Sequence, residues 1–257
     1  MAEQTWYLVL KTPSNLYFLC FIFFATLTSY SFHWHLPSTS VLVSPRHEWI
    51  QRHTYHHAFL FFIGLTGAVI FFFFLLPHWP WLLLASVITF FYSAPKIPHR
   101  YFRLLRLVAI GKTIFLAGMW MYATTFLPLI ISAPAWKNDF TVFILSRFFF
   151  IYSICILFDY RDRADDKAAG IRSMITYLNE NGINILFGIS LALFTFFTFL
   201  LLHYHYSVLD VFLLLMPGLI ISVIYNYAKR NFSDDLYYFV LDGLMALSAL
   251  LMLVFRI

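Results

Sequence analysis

Apolar residues run along this chain for about twenty positions at a time, and polar residues collect in the short gaps between them. A transmembrane barrel would show short alternating segments instead, whereas a helix crosses a bilayer in about 20 apolar residues. Seven or more of the runs are that long. Runs and breakers together predict eight helices, near 14–32, 54–76, 79–95, 104–131, 139–159, 183–203, 208–228 and 235–255. Pro13, Pro45, Pro77, Pro95, Pro98 and Pro134 mark helix ends, because proline lacks the N–H that would continue the ladder. Pro128 and Pro217 fall within or near the ends of apolar runs and are expected to kink them. The expected fold is all-α: a polytopic transmembrane bundle of about eight helices, forming a single domain over 1–257.

Composition agrees with the pattern. Of 257 residues, 61% are hydrophobic and 11% charged, and the mean hydropathy is +0.78. Soluble domains have roughly 45–50% apolar residues and about 25% charged ones. The opening stretch "MAEQTWYLVLKTPSN" lacks the form of a cleaved signal peptide, since Glu3 stands where positive charge is expected. Cys20 and Cys155 both lie inside apolar runs without metal-ligand spacing, which reads as two buried thiols.

Charge then sets the expected orientation. Arg46, Arg52, Lys96, Arg100, Arg103, Arg106, Arg161, Arg163, Lys167, Arg172, Lys229 and Arg230 lie in the loops after helices one, three, five and seven, and Lys112 begins on the same side. The opposite side has Lys11, Lys137 and Arg256. The positive-inside rule makes the first side cytoplasmic. An integral protein of a bacterial inner membrane, with its working face to the cytoplasm, is the expectation.

One segment departs from this basic balance. In "FDYRDRADDKAAGIRS", from Phe158 to Ser173, seven of the nine residues from Asp159 to Lys167 are charged and four of them are acidic. If helix five continues for two turns, Asp159, Asp162 and Asp166 fall within about 60° of one another, while Asp165 points elsewhere. Three stacked carboxylates repel one another unless a cation sits among them. Magnesium suits such oxygen ligands and commonly bridges one or two carboxylates to substrate phosphates. Arg161, Arg163, Lys167 and Arg172 are then placed to bind remaining phosphate oxygens. The alternative is a solvated helix end with locally paired charges.

The stretch "DRADDKAAGIRS" resembles the second aspartate-rich motif of the UbiA superfamily of intramembrane prenyltransferases. Asp162 and Asp166 match its DxxxD pair, and Gly170, Ile171, Arg172 and Ser173 match the tail that follows. "YSAPKIP", from Tyr92 to Pro98, is similar to the family's tyrosine and basic residue at a cytoplasmic helix end. The resemblance implies a helical bundle whose cavity opens to the cytoplasm and the lipid. It also implies a polyprenyl diphosphate held through Mg2+, and transfer of the prenyl group to a small or lipid acceptor. Asp162 and Asp166 would be the catalytic metal ligands, with Asp159 assisting. Arg172, Lys96, Arg100, Tyr92 and Ser173 would contact the diphosphate.

The family's other motif, NDxxDxxxD, has no counterpart. No aspartate or glutamate occurs between Glu3 and Glu48, nor between Glu48 and Asp139, and "TSYSFHWHLPSTS" stands where that motif is expected. Ser31, His33 and His35 occupy the region, and neutral imidazole is a poor magnesium ligand. Three readings follow: diphosphate held by one metal cluster plus Lys96, Arg100 and Arg103; a different reaction such as terpene cyclisation; or a non-catalytic isoprenoid-lipid binding or transport protein.

Other polar residues enter less directly. "HTYHH" (His53, His56, His57) is similar to one box of the di-iron membrane desaturases, but His78, His99, His203 and His205 build no second box. An interfacial role toward phosphate or headgroups fits these histidines better. Arg147 and Asp242 lie inside apolar runs, where a charge costs roughly 2.5–3.5 kcal/mol on insertion scales. They either pair with each other or line a cavity separately. Tyr225 and Asn226 are candidates for the site rim.

Overall fold

A computed structural model describes residues 1–35, 53–93, 112–168 and 173–255. Among these residues the regular elements are all helical. Seven spans are long and apolar enough to cross a membrane: Leu16–His33, Thr54–Phe74, Lys112–Ser132, Asn138–Arg161, Glu180–Tyr204, Val208–Ala228 and Asp235–Phe255. The protein is therefore a polytopic, all-α membrane protein. The remaining expected helix, Trp79–Ser93, is apolar but short. Its fifteen described residues rise about 22 Å. Residues 104–111 of the fourth expected helix lie outside the described residues.

Contacts group the chain into two compact units, one comprising Ser14–Ile110 with Ala164–Arg172, the other Met1–Pro13, Gly111–Arg163 and Ser173–Ile257. In the first, Leu16–His35 and Thr54–Phe74 form an antiparallel pair. Its register is read from Tyr17 stacked on Phe74, Phe24 on Phe71, and Phe32 beside Phe61. Gly64 permits the close approach. A Cβ there would stand 2.8 Å from the backbone nitrogen of Thr28 and 3.0 Å from the carbonyl of Phe24, atoms that cannot rotate away. Lipid tails offer no hydrophobic drive for two helices to meet, so such small-residue contacts let dispersion do the work.

The second unit is organised on Asn138–Arg161. Of its span 72% is buried, against 39% or less for every other. A ladder of hydroxyls fixes its register against Glu180–Leu200. Ser146 and Thr198 share a hydrogen bond (2.7 Å), Ser153 donates to Ser190 (3.0 Å), and Ser190 also donates to the carbonyl of Phe149. Phe149 stacks on Phe197, and Phe187 on Tyr225 of the next helix. Beyond the outer end of the ladder, Tyr206 donates to Asp139 Oδ2 (3.1 Å). Burial first, and then that carboxylate, raise the Tyr206 pKa above the ordinary phenol value.

The two prolines are placed differently. Pro217 lies inside Val208–Ala228. Pro128 follows a widened π turn, Tyr122–Phe126. Lacking an N–H, Pro128 leaves the Thr124 carbonyl without its helical donor, and the Thr5 hydroxyl donates to that carbonyl instead (3.0 Å). Thr5 belongs to an element the apolar pattern did not predict. Ala2–Gln4 continues into a π-helical segment, Thr5–Leu10, that ends where Lys11 turns left-handed (φ 54°). Gln4, Thr5, Trp6, Leu8 and Val9 are buried. Gln4 donates to Ser248 (3.1 Å) and Trp6 to Ser132 (3.0 Å). A stretch of nine residues, three and then six, is too short to register as a span, so only its packing reveals it.

Candidate functional site

The acidic segment begins on the last turn of Asn138–Arg161. The helix does not run on unbroken for two turns. It closes at Asp162, whose N–H still donates to the carbonyl of Phe158 (3.1 Å), and a separate short helix, Arg163–Ala168, follows. The ideal i, i+3, i+7 face is thus interrupted at its middle carboxylate.

Asp159 is buried, its side chain 4% exposed, and Lys112 and Thr113 of the preceding span answer its charge. Thr113 Oγ1 donates to Asp159 Oδ2, and Lys112 Nζ stands 3.5 Å from Oδ1. Both oxygens are therefore engaged by protein donors. A carboxylate buried beside a membrane survives as an anion only with such partners.

Arg161 is held flat among aromatic rings. Its guanidinium carbon lies 4.8 Å from the ring centres of Tyr237 and Tyr238 and 5.3 Å from that of Phe158. From that clamp Nη2 donates to the Tyr238 hydroxyl and Nε to Asp162 Oδ1, both at 2.9 Å. Asp162 stays substantially exposed, at 42%, and among the described residues nothing bonds its Oδ2. The aromatic clamp thus fixes one carboxylate oxygen, and the other has no donor among the described residues.

A third cluster caps the neighbouring helix ends. Glu180 accepts from Arg163 Nη1 (2.7 Å), and Lys229 Nζ stands 2.8 Å from its other oxygen. Tyr160 also donates to Glu180, and Lys229 lies over the rings of Tyr160 and Tyr225. Asn184 Oδ1 accepts from both Tyr225 and Lys229. Glu180 is half exposed, so water screens this network.

Several expected site residues are thereby placed. Asp166 is buried, on the short helix after Asp162. Ser173 is buried as a helix cap: its Oγ accepts from the Thr176 N–H (3.2 Å), while Thr176 Oγ1 accepts from the Ser173 N–H. Tyr225 is buried and Asn226 exposed. Tyr92 lies in Trp79–Ser93. Lys96, Arg100, Arg103, Arg172 and most of the loop joining His35 to His53 fall outside the described residues. Thr113, Glu180 and Tyr238 carry no sequence motif, and Lys112 is marked in the sequence only as a charge on one side, because a lone lysine or threonine at a span end has no motif to mark its partner.

Among the described residues, no group of three or more His, Cys, Asp or Glu side chains is gathered for a metal ion. A dication that bridges a diphosphate needs only one or two carboxylates. Oδ2 of Asp162, on a side chain 42% exposed, is a hard-oxygen donor suited to that role, whereas Asp159 is committed to Lys112 and Thr113. No protein-family model matches this chain, and neither a curated protein nor a solved structure matches it.

Proposed function

We propose that this membrane protein is a UbiA-like enzyme that binds a polyprenyl diphosphate on its positively charged, cytoplasmic face and transfers the prenyl group to an acceptor. The observation that carries the reading is the motif itself. Asp162 and Asp166 stand four residues apart, with Gly170-Ile171-Arg172-Ser173 after them, at the end of the most buried span. Mg2+, when bound by Asp162 and Asp166, would neutralise the diphosphate and make it a better leaving group. The chain's own residues prepare that site. Arg161, clamped by Phe158, Tyr237 and Tyr238, orients Asp162, while Lys112 and Thr113 engage the carboxylate of Asp159. Lys96, Arg100 and Arg172 are the phosphate-binding cations of this reading.

The pairing of Asp159 with Lys112, together with the missing first motif, favours a second reading: a non-catalytic isoprenoid-lipid binder or transporter. Magnesium-dependent binding of geranylgeranyl diphosphate to the purified protein, beside an Asp162→Asn/Asp166→Asn variant, tests the first reading. Metal-dependent binding lost in the variant, with a prenylated, cyclised or hydrolysed product in the same tubes, supports the enzyme. Equal, metal-independent binding without product supports the binder, and no binding by either protein removes both.

A further inference from the structure

We infer that the interior of the Asn138–Arg161 unit holds a small monovalent anion, of the halide class, against the guanidinium of Arg147. Arg147 sits nine residues into that span and is 1% exposed. Its Nη2 donates to Ser146 Oγ at 3.3 Å, a long bond to a hydroxyl already shared with Thr198. Nε and Nη1 have no hydrogen-bond partner. Among the described residues no carboxylate stands within ion-pair distance, so the conceivable pairing with Asp242 is not formed. Instead, the rings of Phe143, Phe150 and Phe194 surround the guanidinium carbon at 5.4–5.5 Å.

Three phenyl groups stabilise a cation through their ring quadrupoles, but they leave two N–H donors without an acceptor. Two unanswered donors on one buried group point to an ion or water as their acceptor. Arginine does not escape by losing its proton, as a lysine can. Water would answer the donors and leave the charge, whereas an anion answers both. The guanidinium carries one charge, with the buried Met1 amino group close enough to interact with it, and a monovalent ion is enough to answer the guanidinium itself. The surroundings select a small one: Phe194 already packs where a Cβ on Gly218 would be, so the cage has little slack on that side. The Ser146 and Thr198 hydroxyls are committed to each other and to the Phe194 carbonyl, so the donors left for an anion are Nε and Nη1 of the guanidinium. This site is independent of the proposed diphosphate chemistry at the helix end.

Bromide is the probe. The full chain, purified in detergent with gluconate as the bulky anion, is melted across a bromide series at constant ionic strength. Crystals grown in bromide are measured at the bromine absorption edge. A site in the native state predicts a rise in Tm of about 3 °C or more per tenfold increase in bromide above its Kd, and an anomalous peak beside Nε and Nη1. Arg147→Met should melt at or above the wild-type temperature in gluconate and ignore bromide. A bromide-independent wild-type Tm with no anomalous peak at Arg147 would overturn the inference, as would a bromide effect of equal size in Arg147→Met. Should that variant not fold, the wild-type anomalous map decides alone.

Discussion

One helix, Asn138–Arg161, buries two charges twelve residues apart, and they are treated in opposite ways. At its end Asp159 meets a lysine and a hydroxyl, so the carboxylate is balanced within the protein. In its middle Arg147 meets phenyl faces and a single long hydrogen bond. The difference follows from position. Near the helix end, Lys112 keeps a quarter of its side chain exposed while its ammonium reaches inward. No such snorkelling is open to a group at mid-span. The end is therefore closed on itself, and the middle depends on something the chain does not supply.

Breaking the balanced pair should have the largest effect. Lys112→Met leaves Asp159 buried without its cation and is expected to destabilise by about 3 kcal/mol, read as loss of thermal stability in detergent. Adding Asp159→Asn should recover part of that loss. If the single variant is neutral, Asp159 is not held as a charged partner and the contrast with Arg147 disappears. Next, Thr113→Val removes the hydroxyl that donates to Asp159, with an expected loss of about 1.5–3 kcal/mol. Ser146→Ala deletes the one hydrogen bond of Arg147, and should cost about 1 kcal/mol. That loss should shrink in bromide if an anion carries most of the stabilisation of Arg147. Last, Lys229→Gln breaks an ion pair with the half-exposed Glu180 and should shift stability by less than about 1 kcal/mol. A large loss there would mean that burial is a poor guide to which pairs matter in this molecule.

These sites were unequally legible in the chain. Asp159, Asp162 and Asp166 stood out because charge is rare here and their spacing is helical. Arg147 stood out because it interrupts an apolar run. Their partners did not. Thr113 and Tyr238 are far from Asp159 and Arg161 in sequence and carry no pattern of their own. Ser173 matched a phosphate-site motif by type, while its geometry is that of a helix cap. The Ala2–Leu10 segment escaped notice because it is shorter than a membrane span and is tied down by bonds from Gln4, Thr5 and Trp6 to Ser248, Thr124 and Ser132.

By itself the sequence determined the class of the protein and the approximate place of each long helix, because about twenty apolar residues have few stable options in a bilayer besides a helix. It also determined where charge concentrates. Only the tertiary structure decided which charges are answered. Pairing depends on distances of a few ångströms between residues dozens of positions apart, and neither hydropathy nor spacing along one helix encodes those distances.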